Sequence, residues 1–174
     1  YIANAQRING GAITPSEYDR RGFVGFPWVI AMVQRVTTDY GATAQTLGIV
    51  FSVAMCVIAA AWLRDLRIGW AMAILPPHFV LDTSAVLNES LMLSLCMIGL
   101  WLCQRATWRN VLIASLVFGA AATVRPMACF AVAGAMALLW QANRPRQSLA
   151  IGIGSLCAFA ALMLTFTLVY WNPL

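Results

Sequence analysis

Lysine is absent from the 174 residues; all eleven basic side chains are arginine. Charge of either sign is scarce, at 10% of residues against 61% hydrophobic. A soluble domain of this size cannot hide so much apolar surface, because a large share of its residues must face water. The shortage of charge therefore excludes an ordinary soluble globule and points to a chain embedded in a bilayer. Mean hydropathy is +0.78, in keeping with that class. The formal charge of +5 is spread between apolar runs. It forms no basic stripe interleaved with aromatics, which excludes nucleic acid as a partner.

Other absences narrow the chemistry. No HExxH pair, Walker loop, G-x-S-x-G elbow or dinucleotide fingerprint occurs, so ATP-driven transport and serine hydrolysis have no support. Cys56, Cys96, Cys103, Cys129 and Cys157 are odd in number, contain no CxxC and sit in or beside apolar runs. They read as small buried hydrophobes, not as a disulfide framework or zinc site, and no metal ligand set is assigned. There is no signal peptide at the start, no short-period repeat and no low-complexity tract. The chain opens at Tyr1 and closes at Asn172-Pro173-Leu174 just after an apolar run, so the expectation is a piece of a longer protein.

What is present is a series of apolar runs. Residues 1–41 form a polar region: a short amphipathic helix from Tyr1 to Asn9, a loop after Gly10-Gly11, and an apolar stretch Phe26–Val33 too short to cross a bilayer. That stretch fits an interfacial helix with Pro27 in its first turn and Trp28 at headgroup level. Residues 42–174 read as a transmembrane helical bundle. Spans are expected at about Ala42–Leu63, Ile68–Leu81 (broken by Pro76-Pro77), Leu87–Cys103 and Ser148–Trp171. Asn110–Gln141 as one helix would be roughly 48 Å, far more than the hydrocarbon thickness. Arg125 precedes Pro126, which disfavours helix there, so two crossings, or a re-entrant pair, meeting at Arg125 are expected. The fold class is thus all-α, a polytopic bundle of about six spans with an extracytoplasmic loop region.

That count places Arg64/Arg67, Arg105/Arg109 and Arg144/Arg146 on one side, which the positive-inside rule makes cytoplasmic. Trp62, Trp70, Trp101, Trp108 and Trp140 fall near the same side, as an aromatic belt would. The opposite side collects Glu17, Asp19, Asp39, Asp82 and Glu89; only Asp65 is cytoplasmic. Such a gathering of acids suits a polar, water-filled cavity.

Three candidates emerge on that face. Glu89 opens an apolar run, where a carboxylate is costly unless it meets a cavity or partner. It is either a group that binds sugar hydroxyls or a first-turn acid at a positive helix end, with Asp82, Thr83 or Ser84 as the cap. Arg125, in a tight turn, either forks onto a phosphate or snorkels to headgroups. Tyr18-Asp19-Arg20-Arg21 suits sugar-phosphate contact, or is a solvated loop touching anionic lipid. His78, the single histidine, reads as a packed or interfacial residue beside the Pro76-Pro77 break.

Four segments together resemble the GT-C glycosyltransferases, multi-spanning enzymes that use polyprenyl-phosphate sugars. Tyr1-Ile2-Ala3-Asn4-Ala5-Gln6-Arg7 resembles the helix after that family's catalytic acid. Gly25-Phe26-Pro27-Trp28 resembles its G-x-P-x segment. Leu87-Asn88-Glu89-Ser90 resembles the acid-bearing start of a later span. Gly119–Pro126 resembles its run ending in Arg-Pro. The resemblance implies sugar transfer from a polyprenyl-phosphate carrier to an extracytoplasmic glycan, lipid or protein acceptor, mannosyltransferase-like, in a bacterial inner membrane. It places the general-base Asp upstream of Tyr1. Glu89, Arg125, Tyr18, Asp19, Arg20, Arg21, Asp82 and Asn88 are then substrate-binding. Some members of the family use a divalent metal and others none, and no ligand cluster here decides between them. The rival readings are a transporter or lipid flippase, which predicts internal repeats and a midplane site, and a glycan polymerase or ligase.

Overall fold

The computed structural model describes residues 5–6, 8–9, 25–34, 39–65, 67, 71, 89–105 and 107–170. Among them every regular element is a helix: α1 Gly25–Gln34, α2 Tyr40–Leu63, α3 Glu89–Arg105, α4 Trp108–Val124, α5 Ala128–Gln141 and α6 Pro145–Tyr170. Only α2 and α6 among these are long and apolar enough to cross a membrane. α3 and α4 stop at 17 residues and α5 at 14. The all-α class is as expected, but only two of the expected six spans have membrane length among the described residues. The segment around Pro76, Pro77 and His78 lies outside the described residues.

Local chemistry explains the helix ends. Asp39 is extended, and its Oδ1 accepts from the Gly41 N–H at 2.8 Å and the Ala42 N–H at 3.3 Å, capping α2. Thr107 Oγ1 accepts from the Asn110 N–H at 3.3 Å and caps α4. α2 and α5 each close through a left-handed residue, Arg64 (φ 54°) and Asn143 (φ 58°). The next N–H then reaches back: Asp65 to the Ala60 carbonyl at 3.1 Å, Arg144 to the Leu139 carbonyl at 2.9 Å. The break between α4 and α5 has another cause. The Pro126 ring crowds the residue before it out of the helical region. Arg125 is accordingly extended, at φ −152° and ψ 138°.

Close contacts set the directions. A Cβ on Gly119 would lie 2.5 Å from the Ala158 Cβ, and one on Gly154 would lie 2.7 Å from Ser115 Oγ. Both pairs keep the same sequence offset, so α4 and α6 run parallel, with Ser115-x-x-x-Gly119 against Gly154-x-x-x-Ala158. Small residues at this spacing let two backbones approach. α3 returns antiparallel to α4, with Gly99 against the Phe118 ring. Three hydroxyls bridge helices: Ser94 Oγ donates to the Phe51 carbonyl at 2.7 Å, Ser148 Oγ to the Met136 carbonyl at 2.8 Å, and Thr43 Oγ1 of α2 to Gln34 Oε1 of α1 at 3.0 Å.

Two buried clusters result. The upper one joins Ala5, Ile8, Phe26, Ile30, Ala44, Leu91, Val124 and Ala128. The lower one joins Cys103, Val111, Ala114, Phe118, Ala135, Leu139 and Ile151. α1, expected to lie at an interface, sends Phe26 and Ile30 fully into the upper cluster, while Trp28 stays half-buried. Asn9 Nδ2 ties the N-terminal segment to it, donating to the Ala31 carbonyl at 3.2 Å and the Tyr40 hydroxyl at 2.9 Å.

The lower ends of α2, α3, α4 and α6 are level. The offset from Ser115–Gly154 sets Trp108 beside Gln147, and the Ser94–Phe51 bond sets Arg105 beside about Trp62. This end carries Arg64, Arg67, Arg105, Arg109, Arg144 and Arg146, all exposed. Trp101, Trp108 and Trp140 are exposed here too, and the Arg105 guanidinium sits 5.6 Å over the Trp101 ring. Trp62 is half-buried, and Trp70 lies outside the described residues. No charged side chain occupies the middle of any described helix.

Filling the α4–α6 contact should destabilise the bundle. Gly119→Val is expected to cost about 1–3 kcal/mol by overpacking. Gly134→Ala, where nothing lies within 4 Å, should be neutral or stabilising by up to ~1 kcal/mol through helix propensity. Thermal unfolding followed by circular dichroism compares the two.

Candidate polar site at the helix break

Glu89 is the first residue of α3, and Arg125 immediately follows the last residue of α4. The two helices are equal in length and join at the lower end through residues 106 and 107. Their far ends therefore meet, and Arg125 Nη2 forms an ion pair with Glu89 Oε1. The side chains are 32% and 30% exposed, so each is reachable yet largely removed from solvent. A charge-assisted hydrogen bond of this kind is stronger and shorter than a neutral one. Glu89 Oε2 is buried and has no hydrogen-bond partner among the described residues.

The pair is recessed. The α4–α6 offset carries Arg125 to the level of Leu164, and α6 continues six residues further to Tyr170, ~9 Å. The Ser94–Phe51 bond likewise sets Glu89 beside about Thr46, six residues inside the start of α2 at Tyr40. Two long helices thus overshoot the charges by the same amount. α1 backs the site from beneath. A Cβ on Gly25 would lie 2.7 Å from Thr123 Oγ1 and 2.9 Å from the Thr123 carbonyl carbon, so only glycine lets α1 press on the last turn before Arg125.

An apolar groove of about 410 Å³ opens beside Pro126 and runs between α4, α5 and α6, lined by Phe118, Ala122, Val132, Leu156 and Phe159 among others. Ser155 is the one hydroxyl in its described lining, and its Oγ is buried without a hydrogen-bond partner.

Of the residues singled out from sequence, the structure joins Glu89 and Arg125. Tyr18, Asp19, Arg20, Arg21, Asp82 and Asn88 lie outside the described residues. Asp39, counted there with the gathered acids, is the α2 cap. Asp65 Oδ1 accepts from the Arg67 N–H at 2.9 Å. No group of three or more His, Cys, Asp or Glu side chains among the described residues is placed to hold a metal ion. Sequence reasoning put Glu89 and Arg125 on one face but missed their pairing. The signal was available: both lie about equally far in sequence from the Arg105–Thr107 turn. It also missed the groove, whose lining is drawn from α4, α5 and α6 together.

Glu89→Gln and Arg125→Ala should each lower the melting temperature, and the double variant should cost less than their sum by about 1 kcal/mol, the coupling of a contacting pair. Additive losses in a double-mutant cycle would show that the pair contributes nothing.

No protein-family model matches the chain, and comparison with curated proteins and with solved structures finds no match.

Proposed function

We propose that the chain is part of a membrane glycosyltransferase that moves a sugar from a polyprenyl-phosphate carrier to an acceptor on the extracytoplasmic side. The observation that carries this reading is the Glu89–Arg125 ion pair, whose Arg125 is the chain neighbour of Pro126 in the lining of an apolar groove. A guanidinium can fork onto the carrier's phosphate and stabilise the charge that develops as it leaves. The adjacent carboxylate can accept hydrogen bonds from sugar hydroxyls. The groove beside Pro126 suits an isoprenoid tail. On the GT-C resemblance, an Asp upstream of Tyr1 would take the proton from the acceptor hydroxyl.

The surface supports a lipid surrounding. Leu112, Leu116, Phe130, Leu156 and Leu168 are more than 60% exposed, while Ala44, Ala59, Ala114, Ala121 and Ala135 are fully buried. Water favours the reverse, since burying leucine gains far more than burying alanine. With the arginine end at one headgroup layer, helices of 17 residues place the ion pair ~25 Å across a core of about 30 Å. α2 and α6 then complete the crossing. The three resembling segments at Gly25, Glu89 and Arg125, and Ala5 of the fourth, all contribute to this upper end.

Glu89→Gln and Arg125→Ala, assayed in membranes for transfer from a polyprenyl-phosphate sugar, should each lose activity on the order of a hundredfold, as when a charge-stabilising donor is removed. Full activity in both would sink the site. Orientation is read separately. Met127, 57% exposed beside Arg125, is replaced by cysteine in a background with Cys129 and Cys157 changed to alanine. An impermeant thiol reagent should label it from the extracytoplasmic side; labelling solely from the cytoplasmic side would overturn the placement.

A further inference from the structure

At the arginine end a second cleft, about 280 Å³, lies between α3 and α5 and differs in kind from the groove beside Pro126. Its lining grades along the bundle axis. Gln104 and Arg144 stand at the helix ends, and Leu100 and Leu138, one turn inward, are hydrocarbon. One helical turn is ~5.4 Å, so the polarity changes from cationic to apolar over that depth. The groove beside Pro126 has no charged liner among the described residues.

The surroundings are strongly one-signed. Arg64, Arg67, Arg105, Arg109 and Arg146 share this end, and Asp65 is the one acid described there. Trp101 and Trp140, both exposed, flank the cleft next to Leu100 and Leu139 in the chain, at the level where indoles sit in a headgroup layer. Arg144 is held by its backbone. Its N–H donates to the Leu139 carbonyl at 2.9 Å, and its own carbonyl accepts from Gln147 at 3.1 Å and Ser148 at 3.0 Å. A fixed backbone lowers the ordering cost of using its guanidinium as an anion ligand.

We propose that this cleft holds one anionic phospholipid, with its phosphate on Arg144 and Gln104 and an acyl chain against Leu100 and Leu138. Charge complementarity selects the anionic headgroup, since basic pockets between helices at a cytoplasmic surface bind such lipids. The volume, at the lower limit for small-molecule pockets, fits part of one lipid. The site rests on the membrane placement proposed above and not on sugar transfer.

The test counts bound lipid on the intact protein in mild detergent by native mass spectrometry, with phosphatidylglycerol or phosphatidylcholine added. The wild type should retain one phosphatidylglycerol and no phosphatidylcholine. Arg144→Ala should weaken retention about tenfold, the loss of a charge-assisted hydrogen bond. Leu138→Trp, at a position 53% exposed and so harmless to the core, should block the hydrocarbon end. Arg146→Ala removes the same charge nearby and should leave retention intact. Equal losses in Arg144→Ala and Arg146→Ala, equal retention of phosphatidylcholine, or displacement by millimolar inorganic phosphate would each overturn the lipid site alone. Recovery of the protein outside the membrane fraction would overturn the membrane placement and the site with it.

Discussion

A residue that precedes proline is pushed out of the α-helical region, and in this chain that residue is Arg125. The apolar stretch on either side would otherwise run on as one helix. The break turns it into α4 and α5, sends the chain back to the arginine end, and lets α6 rise again beside α4. Because α3 and α4 have the same length, the break also falls opposite the start of α3. A guanidinium and a carboxylate that would each be expensive alone in an apolar bundle then meet and neutralise one another.

What holds the bundle around that break is close approach, not bulk. The α4–α6 contact is made through Ser115, Gly119, Gly154 and Ala158. Residues this small bring little transfer energy from water, so the contact depends on van der Waals packing and on hydroxyls bonded across helices, such as Ser94 to Phe51 and Ser148 to Met136. Many larger side chains, among them Leu112, Leu116, Phe130 and Leu168, point outward. The same distribution explains why, in the described helices, charge appears only at the ends: the first and last turns of α3, the second residue of α4 and of α6, and the caps. The polar ends and apolar waist follow from one rule, that a charge without a partner must lie where water or headgroups can reach it.

Much of this was legible in the sequence. Helices over Tyr40–Leu63, Glu89–Arg105 and Pro145–Tyr170 followed from the length of the apolar runs, the run Ile68–Leu81 lying outside the described residues but for 71, and the split at Arg125 followed from proline stereochemistry. The level set of arginines followed from counting turns. The seating of α1 was less legible. Gly25-Phe26-Pro27-Trp28 has the composition of an interfacial segment, and nothing local reveals that Gly25 is needed for contact with Thr123. That requirement belongs to the far side of the chain. The ion pair was half legible: each member was identified for its own cost in an apolar setting. Their meeting depended on the equal lengths of two helices, a property of the pair.

The recess of the ion pair bears on what it could do. On the outer surface of the bundle, a Glu–Arg pair would be screened by water and worth little. Fully buried, it would be closed to any substrate, and its desolvation would rival its attraction. At about one-third exposure and ~9 Å below the ends of α2 and α6, it lies between these limits. The guanidinium has five N–H donors, so it can hold the Glu89 carboxylate and still present donors to an incoming phosphate. In the proposed chemistry, a phosphate would add negative charge beside Glu89, and hydrogen bonds from sugar hydroxyls to the exposed part of the carboxylate would offset it. In the proposed chemistry, binding of the anionic carrier and binding of its sugar are thereby coupled through one residue pair. On that proposal, a phosphate without a sugar would carry more negative charge beside Glu89 and offer it no hydroxyl donors, so the site would favour the carrier in its sugar-loaded form.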